Sequence, residues 1–167
     1  MRYSKIREMD ISNGDGISCS IFFQGCPHHC KNCFNPETWD FYGGCEFTKE
    51  LQDKFIELCK KPYINHISVL GGEPLSQSDE LYFLLSRLKK EVKKPIWLWT
   101  GYQYEYIVNC MGFAHDILNE NLVDILIDGK FVEELKDLNL KYRGSSNQRV
   151  VDVKETNKQN KVVLYCD

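Results

Sequence analysis

The chain has 167 residues, 43% of them hydrophobic and 27% charged, and a formal net charge of −3. That is enough for one domain with a proper core and short for two, and the composition excludes a disordered chain. The slight acidity supplies no electrostatic footprint for nucleic acid, and no apolar run approaches the ~20 residues of a membrane span.

The first residues, MRYSKIREMD, carry charges throughout and do not read as a signal peptide. The expectation is therefore a single domain over residues 1–167 in the cytoplasm, with no membrane and no nucleic acid among its partners. Thiols stay reduced in that compartment, so the eight cysteines do not read as a disulfide framework.

Residues 17–23 read as a strand with Ile17, Cys19, Ile21 and Phe23 on one face. Thr48 opens a helical pattern in which Leu51, Phe55, Leu58 and Cys59 share a face. Residues 66–70 form a second strand ending at Gly71–Gly72, and Ser78 reads as the N-cap of a helix with Leu81, Leu84, Leu85, Leu88 and Val92 as its stripe. The basic pairs Lys89–Lys90 and Lys93–Lys94 read as a solvated helix face.

Pro95 stops that helix before a third strand at 96–100, which meets Gly101. Residues 103–118 read as helix broken around Met111–Gly112, followed by a strand at 122–128 that meets Gly129. A short helix near 131–137 and strands at 149–153 and 161–165 complete the pattern. Such alternation predicts an α/β fold with a largely parallel sheet. A closed barrel takes ~250 residues, so the expectation is a partial (β/α) barrel or an open curved parallel sheet of about five to six strands. The strand ends at Gly25, Gly71, Gly101 and Gly129 then share one carboxyl edge, where α/β proteins place their sites.

The densest chemistry follows the first strand. Residues 26–33 hold Cys26, Cys30 and Cys33, in the spacing C-x3-C-x2-C, together with His28 and His29. A structural zinc ion wants four ligands, commonly as two separated pairs, and no second pair lies at the usual distance. Three thiolates suit a [4Fe–4S] cluster with one iron left open. Neither histidine is given a ligand role. Cys19 and Cys59 fall at apolar positions and read as small core residues.

This motif after the first strand, with Gly71–Gly72–Glu73–Pro74 at the end of the second, resembles the radical S-adenosylmethionine (SAM) enzymes. The resemblance implies a [4Fe–4S] cluster on Cys26, Cys30 and Cys33, whose open iron takes the amino and carboxylate groups of SAM. It also implies that the backbone and carboxylate of Gly71, Gly72 and Glu73 approach the SAM amino group. Many members carry an aromatic residue before the third cysteine, near the adenine. Asn32 stands there in this chain, so its backbone and Phe34 are expected to take those contacts.

Residues 25–41, 98–102, 124–131 and 142–153 are similar to the activating proteins of anaerobic (class III) ribonucleoside-triphosphate reductases. That likeness runs from about Asp10 to Val153. It implies an oxidoreductase that takes an electron from flavodoxin or ferredoxin, splits SAM to a 5′-deoxyadenosyl radical, and removes a hydrogen atom from a glycine of the reductase. No general acid or base is assigned. Related activases carry an Asp-x-Lys at the position of Asp128 and Lys130, which are therefore expected to contact SAM. Against this, Asp128 reads equally as a cap of the helix that follows it and Lys130 as solvated. Thr100, with Gly101 and Tyr102, is expected near the ribose or adenosine, and 143–148 as a structured turn, part of the surface that docks the reductase. The alternatives are a small radical SAM enzyme acting on a low-molecular-weight substrate such as a pterin, and a zinc-binding interaction module.

Overall fold

A computed structural model describes residues 1–166 of the chain. In order the elements are β1 (Arg2–Asp10), β2 (Ser18–Phe23), β3 (Cys45–Glu46), α1 (Lys49–Cys59), β4 (His66–Gly71), α2 (Ser78–Glu91), β5 (Ile96–Trp99), α3 (Tyr104–Cys110), α4 (Gly112–Asn119), β6 (Ile125–Asp128), β7 (Arg149–Asp152), α5 (Val153–Gln159) and β8 (Leu164–Cys166). The strands form one mixed sheet in the order β3-β1-β2-β4-β5-β6-β7-β8.

Its centre, β2-β4-β5-β6, is parallel, with helical connections between successive strands. Both flanks are antiparallel: β1 on β2 and β3 on β1 at one side, β7 on β6 and β8 on β7 at the other. Among the described residues, eight strands thus replace the five or six expected, in a sheet with β3 and β8 at its ends.

These departures from the expected pattern have physical explanations. Within β1 the register shifts between Tyr3 and Lys5, a bulge that lets both Tyr3 and Ile6 pack against the core. A strict two-residue alternation sends positions 3 and 6 to opposite faces, which hides the strand in a charged N-terminus. β7 runs antiparallel because no helix bridges it to β6. Where a helix was expected near 131–137 there is a single 3-10 turn, Glu133–Leu135, and Lys136 instead bridges to Ser145.

Thr48 caps α1 as expected, its side chain accepting from the Leu51 N–H (3.4 Å). Ser78 does not cap α2. It is the first helical residue, and Gln77 takes the cap position at the end of a 3-10 turn, Pro74–Gln77. The break between α3 and α4 falls at Met111, as the sequence indicates.

One sheet face carries Cys19, Ile21, Phe23, Ile67, Val69, Ile96, Leu98 and Leu126, which pack with apolar residues from all five helices into the main core. Cys19 and Cys59 are fully buried in it. Leu81, Leu84, Leu85 and Leu88 of α2 are likewise within 1% of complete burial; a leucine so placed contributes ~1.5–3 kcal/mol.

Among the described residues, no helix packs on the other face. Near the carboxyl ends of the strands it carries Phe22, Leu70 and Trp99, and near their amino ends Ser18, Ser20, His66 and Ser68. The loop after β1 covers the polar end. His66 Nε2 donates to the Asn13 carbonyl at 2.9 Å, Ser68 Oγ donates to it at 2.7 Å, and Asp10 accepts from Ser12 N–H and the Asn13 amide. Among the described residues, no helix is long and apolar enough to cross a membrane.

Candidate functional site

Because β2, β4, β5 and β6 are parallel, the segments after Phe23, Gly71, Trp99 and Asp128 gather at one edge. They surround a cavity of about 650 Å³ that continues along the helix-free face. Glycine is required where strand ends come closest. Gly71 has φ +116°, and a Cβ on Gly72 would sit 2.4 Å from the Gly25 carbonyl oxygen.

Cys26, Cys30 and Cys33 all line this cavity, and of the eight cysteines only these three do. Cys26 N–H donates to the Trp39 carbonyl (3.1 Å), Cys33 N–H to the Cys30 carbonyl (3.1 Å), and Asn35 N–H to Cys33 Sγ (3.4 Å). Burial pushes the Cys26 and Cys30 thiols above their ordinary value. Opposing it are the backbone N–H groups of His28 and His29 at Cys26, and the Phe131 N–H with the Lys130 charge at Cys30. A bound metal cation ionises such a thiol outright.

Phe34, Gly71, Gly72, Thr100 and Lys130 also line the cavity. Phe34 lies against Phe131, ring centroids 5.0 Å apart, with the Lys136 ammonium 5.4 Å from its ring centre. Three expected contact residues lie elsewhere, each for a visible reason.

Asn32 is exposed at φ +54°, the left-handed position of the turn between Cys30 and Cys33, which asparagine tolerates better than most residues. The Glu73 carboxylate is fully buried and turned inward. It accepts from His28 Nε2 (2.8 Å), Thr100 Oγ1 (2.9 Å), Gly101 N–H (2.8 Å) and Leu75 N–H (3.1 Å). What Gly71–Gly72–Glu73 presents to the cavity is therefore the glycine backbone, while the Glu73 carboxylate is taken up by these four donors. Asp128, 1% exposed, accepts from the Tyr104 N–H (2.8 Å) and pairs with Arg149, which grips Glu105 with its other edge. Asp128 thus caps α3, the helix before its own strand, and does not face the cavity.

His28 of the cysteine loop, Trp39, Trp99, Phe131, and Arg143 and Gln148 of the expected 143–148 turn line the cavity as well. The turn 143–148 is ordered by Gln148, whose Oε1 accepts from the Gly144 N–H (2.9 Å) while its Nε2 donates to the Gly129 carbonyl (2.9 Å). Trp39 Nε1 and Arg143 Nε are buried donors with no partner among the described residues. Three thiols beside backbone N–H groups make this cavity suited to a sulfur-rich guest.

The same described residues hold no three His, Cys, Asp or Glu groups converging on one metal ion. A cubane does not need such convergence, since its thiolates bind separate irons. Three cavity-lining thiols with N–H groups directed at their sulfurs fit a [4Fe–4S] cluster.

Residues 12–151 match the family described as a 4Fe-4S single cluster domain. The chain is 41% identical over 155 residues to the anaerobic ribonucleoside-triphosphate reductase-activating protein of Salmonella typhi, covering 90% of this chain and 97% of that one. The protein so named from Escherichia coli K12 is 38% identical with the same coverage, and that of Enterobacteria phage T4 is 35% identical over 90% of this chain and 93% of its own.

The chain belongs to this activating-protein family. As a member it is a single-cluster 4Fe–4S protein, and the match contains the whole cavity edge from Gly25 to Gln148. The cysteine loop, the Gly71–Gly72 turn and the 143–148 turn, far apart in sequence, are the walls of one chamber.

Proposed function

We propose that the chain is a radical SAM activase that generates a glycyl radical on an anaerobic ribonucleoside-triphosphate reductase. One observation carries the reading: of eight cysteines, the three in the C-x3-C-x2-C loop line a cavity at the carboxyl edge of the sheet, in a chain of this family.

In this reading Cys26, Cys30 and Cys33 hold one [4Fe–4S] cluster, and SAM lies beside it. When bound, the cluster would supply the electron for reductive cleavage of SAM, the chemistry needed to remove a hydrogen atom from a glycine of the reductase. The chain's own residues hold, orient and exclude water. Backbone N–H groups of Asn35, Phe131, His28 and His29 offset thiolate charge. The peptide groups of Gly71 and Gly72 would border SAM, since no side chain stands in the way. Thr100 and Lys130 would meet the nucleoside, with Phe34 as an apolar wall.

No residue needs to act as a general base, because a hydrogen atom rather than a proton moves. The rim carries Phe34, 58% exposed, and Leu138, 81% exposed, which suits a substrate that brings its own polypeptide into the opening. The chain acts as a single domain in the reducing cytoplasm, with flavodoxin or ferredoxin as electron donor.

Anaerobic reconstitution with iron and sulfide tests this. Expected are four irons per chain and SAM-dependent release of methionine and 5′-deoxyadenosine on reduction. A colourless protein that takes up zinc in place of iron would refute the reading.

A further inference from the structure

His28 lies in the middle of the cysteine loop, two residues from both Cys26 and Cys30, yet its ring is engaged elsewhere. Its side chain is only 6% exposed, with Nε2 2.8 Å from Glu73 Oε2. Every other group meeting that carboxylate is a donor: the N–H of Gly101, the N–H of Leu75 and the hydroxyl of Thr100. The carboxylate is thus the acceptor and His28 Nε2–H the donor.

The rest of the ring is equally constrained. Tyr102 meets it edge-on, centroids 4.6 Å apart at 70°. Gly101 lies so close that a Cβ there would fall 2.3 Å from the imidazole. The Tyr102 N–H is held in turn by Thr100 Oγ1 (3.1 Å), the hydroxyl that also donates to Glu73. The Glu73 N–H returns to the Gly25 carbonyl (2.8 Å), immediately before the first cysteine.

We infer that His28 is a positioning residue, a clamp that ties the Cys26–Cys30 segment to the ends of β4 and β5 through Glu73. The inference rests on the reading that the three cysteines hold the cluster, and adds what holds them. A segment with Gly25 at its base and a left-handed His29 (φ +47°) has few fixed points of its own. One buried bond to a carboxylate, with the ring wedged between Gly101 and Tyr102, sets where two of the three sulfurs stand before any iron arrives. Such preorganisation governs how tightly a metal group is retained and tunes its electronic environment.

The test uses the reconstituted holoprotein. Iron release to a chelator is followed anaerobically, and the electron paramagnetic resonance spectrum of the reduced cluster is recorded. His28→Ala should release iron roughly tenfold faster or more, the factor that a lost hydrogen bond to a charged group corresponds to, and should alter the spectrum. His28→Gln, whose amide can still donate to Glu73, should restore both towards the parent.

Gly101→Ala should reproduce the defect with His28 in place, because the new methyl occupies the ring's position. In the double variant His28→Ala/Gly101→Ala the two losses should not add. If His28→Ala retains iron and spectrum like the parent, or if the two losses add, the clamp is overturned. Cys30→Ala serves as the control that separates the two claims. If it loses the cluster while His28→Ala is unaffected, the clamp alone fails. If it keeps a full complement of iron and sulfide, the cysteine reading itself fails.

Discussion

Glutamine at position 73 discriminates sharply between a carboxylate that holds the fold and one that reaches for a ligand. Each oxygen of Glu73 serves at least two donors: Leu75 N–H and Thr100 Oγ1 at Oε1, His28 Nε2 and Gly101 N–H at Oε2. The isosteric amide replaces one acceptor by an NH2 group. If it takes the Oε2 side, His28 can change tautomer and accept, but the Gly101 N–H cannot. On the Oε1 side the Leu75 N–H is stranded in the same way.

Either orientation leaves one buried backbone donor unpaired, at ~1–3 kcal/mol, and weakens the surviving bonds by removing the charge. The sum is about 2–4 kcal/mol against a total stability on the order of 5–15 kcal/mol. For a chain of this size that corresponds to roughly 5–15 °C in melting temperature. The assay is thermal and urea unfolding of the cluster-free chain at neutral pH, followed by circular dichroism. A Glu73→Gln midpoint indistinguishable from the parent would refute the reasoning and return the carboxylate to the cavity.

Removing the partner of a second buried carboxylate, Asp128, should also be costly. Arg149→Met leaves Asp128 with only the Tyr104 N–H, for a loss of about 3 kcal/mol in urea unfolding, whereas Glu105→Ala removes an exposed partner and should cost under ~1 kcal/mol. Cys30→Ala should abolish cluster assembly; Cys59→Ala, deep in the core beside Cys19, should keep full iron content with only a modest fall in urea midpoint.

Acid sensitivity has a defined origin at Asp10. Burial works to raise its carboxyl, but bonds from the Asn13 amide, Ser12 N–H and Ser20 and the charge of Arg7 outweigh it, leaving it below its ordinary 3.8. A carboxyl depressed in the folded state stabilises above its unfolded value and loses that contribution as pH falls through the folded one. The stability gap between parent and Asp10→Asn should therefore be full at neutral pH and close below about pH 4. A gap that stays constant into acid would contradict this.

Much of the carboxyl edge could be read from the sequence because its signals are local. Thr48 ahead of an apolar stripe, glycines after four strands and three cysteines within eight residues each depend on neighbours a few positions away. What escaped depends on partners far along the chain. His28 meets Glu73 forty-five residues on, and Arg149 meets Asp128 twenty-one residues back. A carboxylate at a strand end has the same sequence signature whether it faces a cavity or turns beneath it. β1 was hidden for a different reason: its bulge breaks the alternation by which a strand is recognised, and its charges fit a loop equally well.

The central claim is that this chain places a radical on another protein. The direct measurement mixes the reduced, cluster-loaded chain with SAM and an anaerobic ribonucleoside-triphosphate reductase under strict anaerobiosis and records the electron paramagnetic resonance spectrum. A doublet from a glycyl radical, absent when SAM is omitted or when Cys30→Ala replaces the parent, is the expected result. SAM cleaved to 5′-deoxyadenosine with no glycyl signal on the reductase would contradict the account.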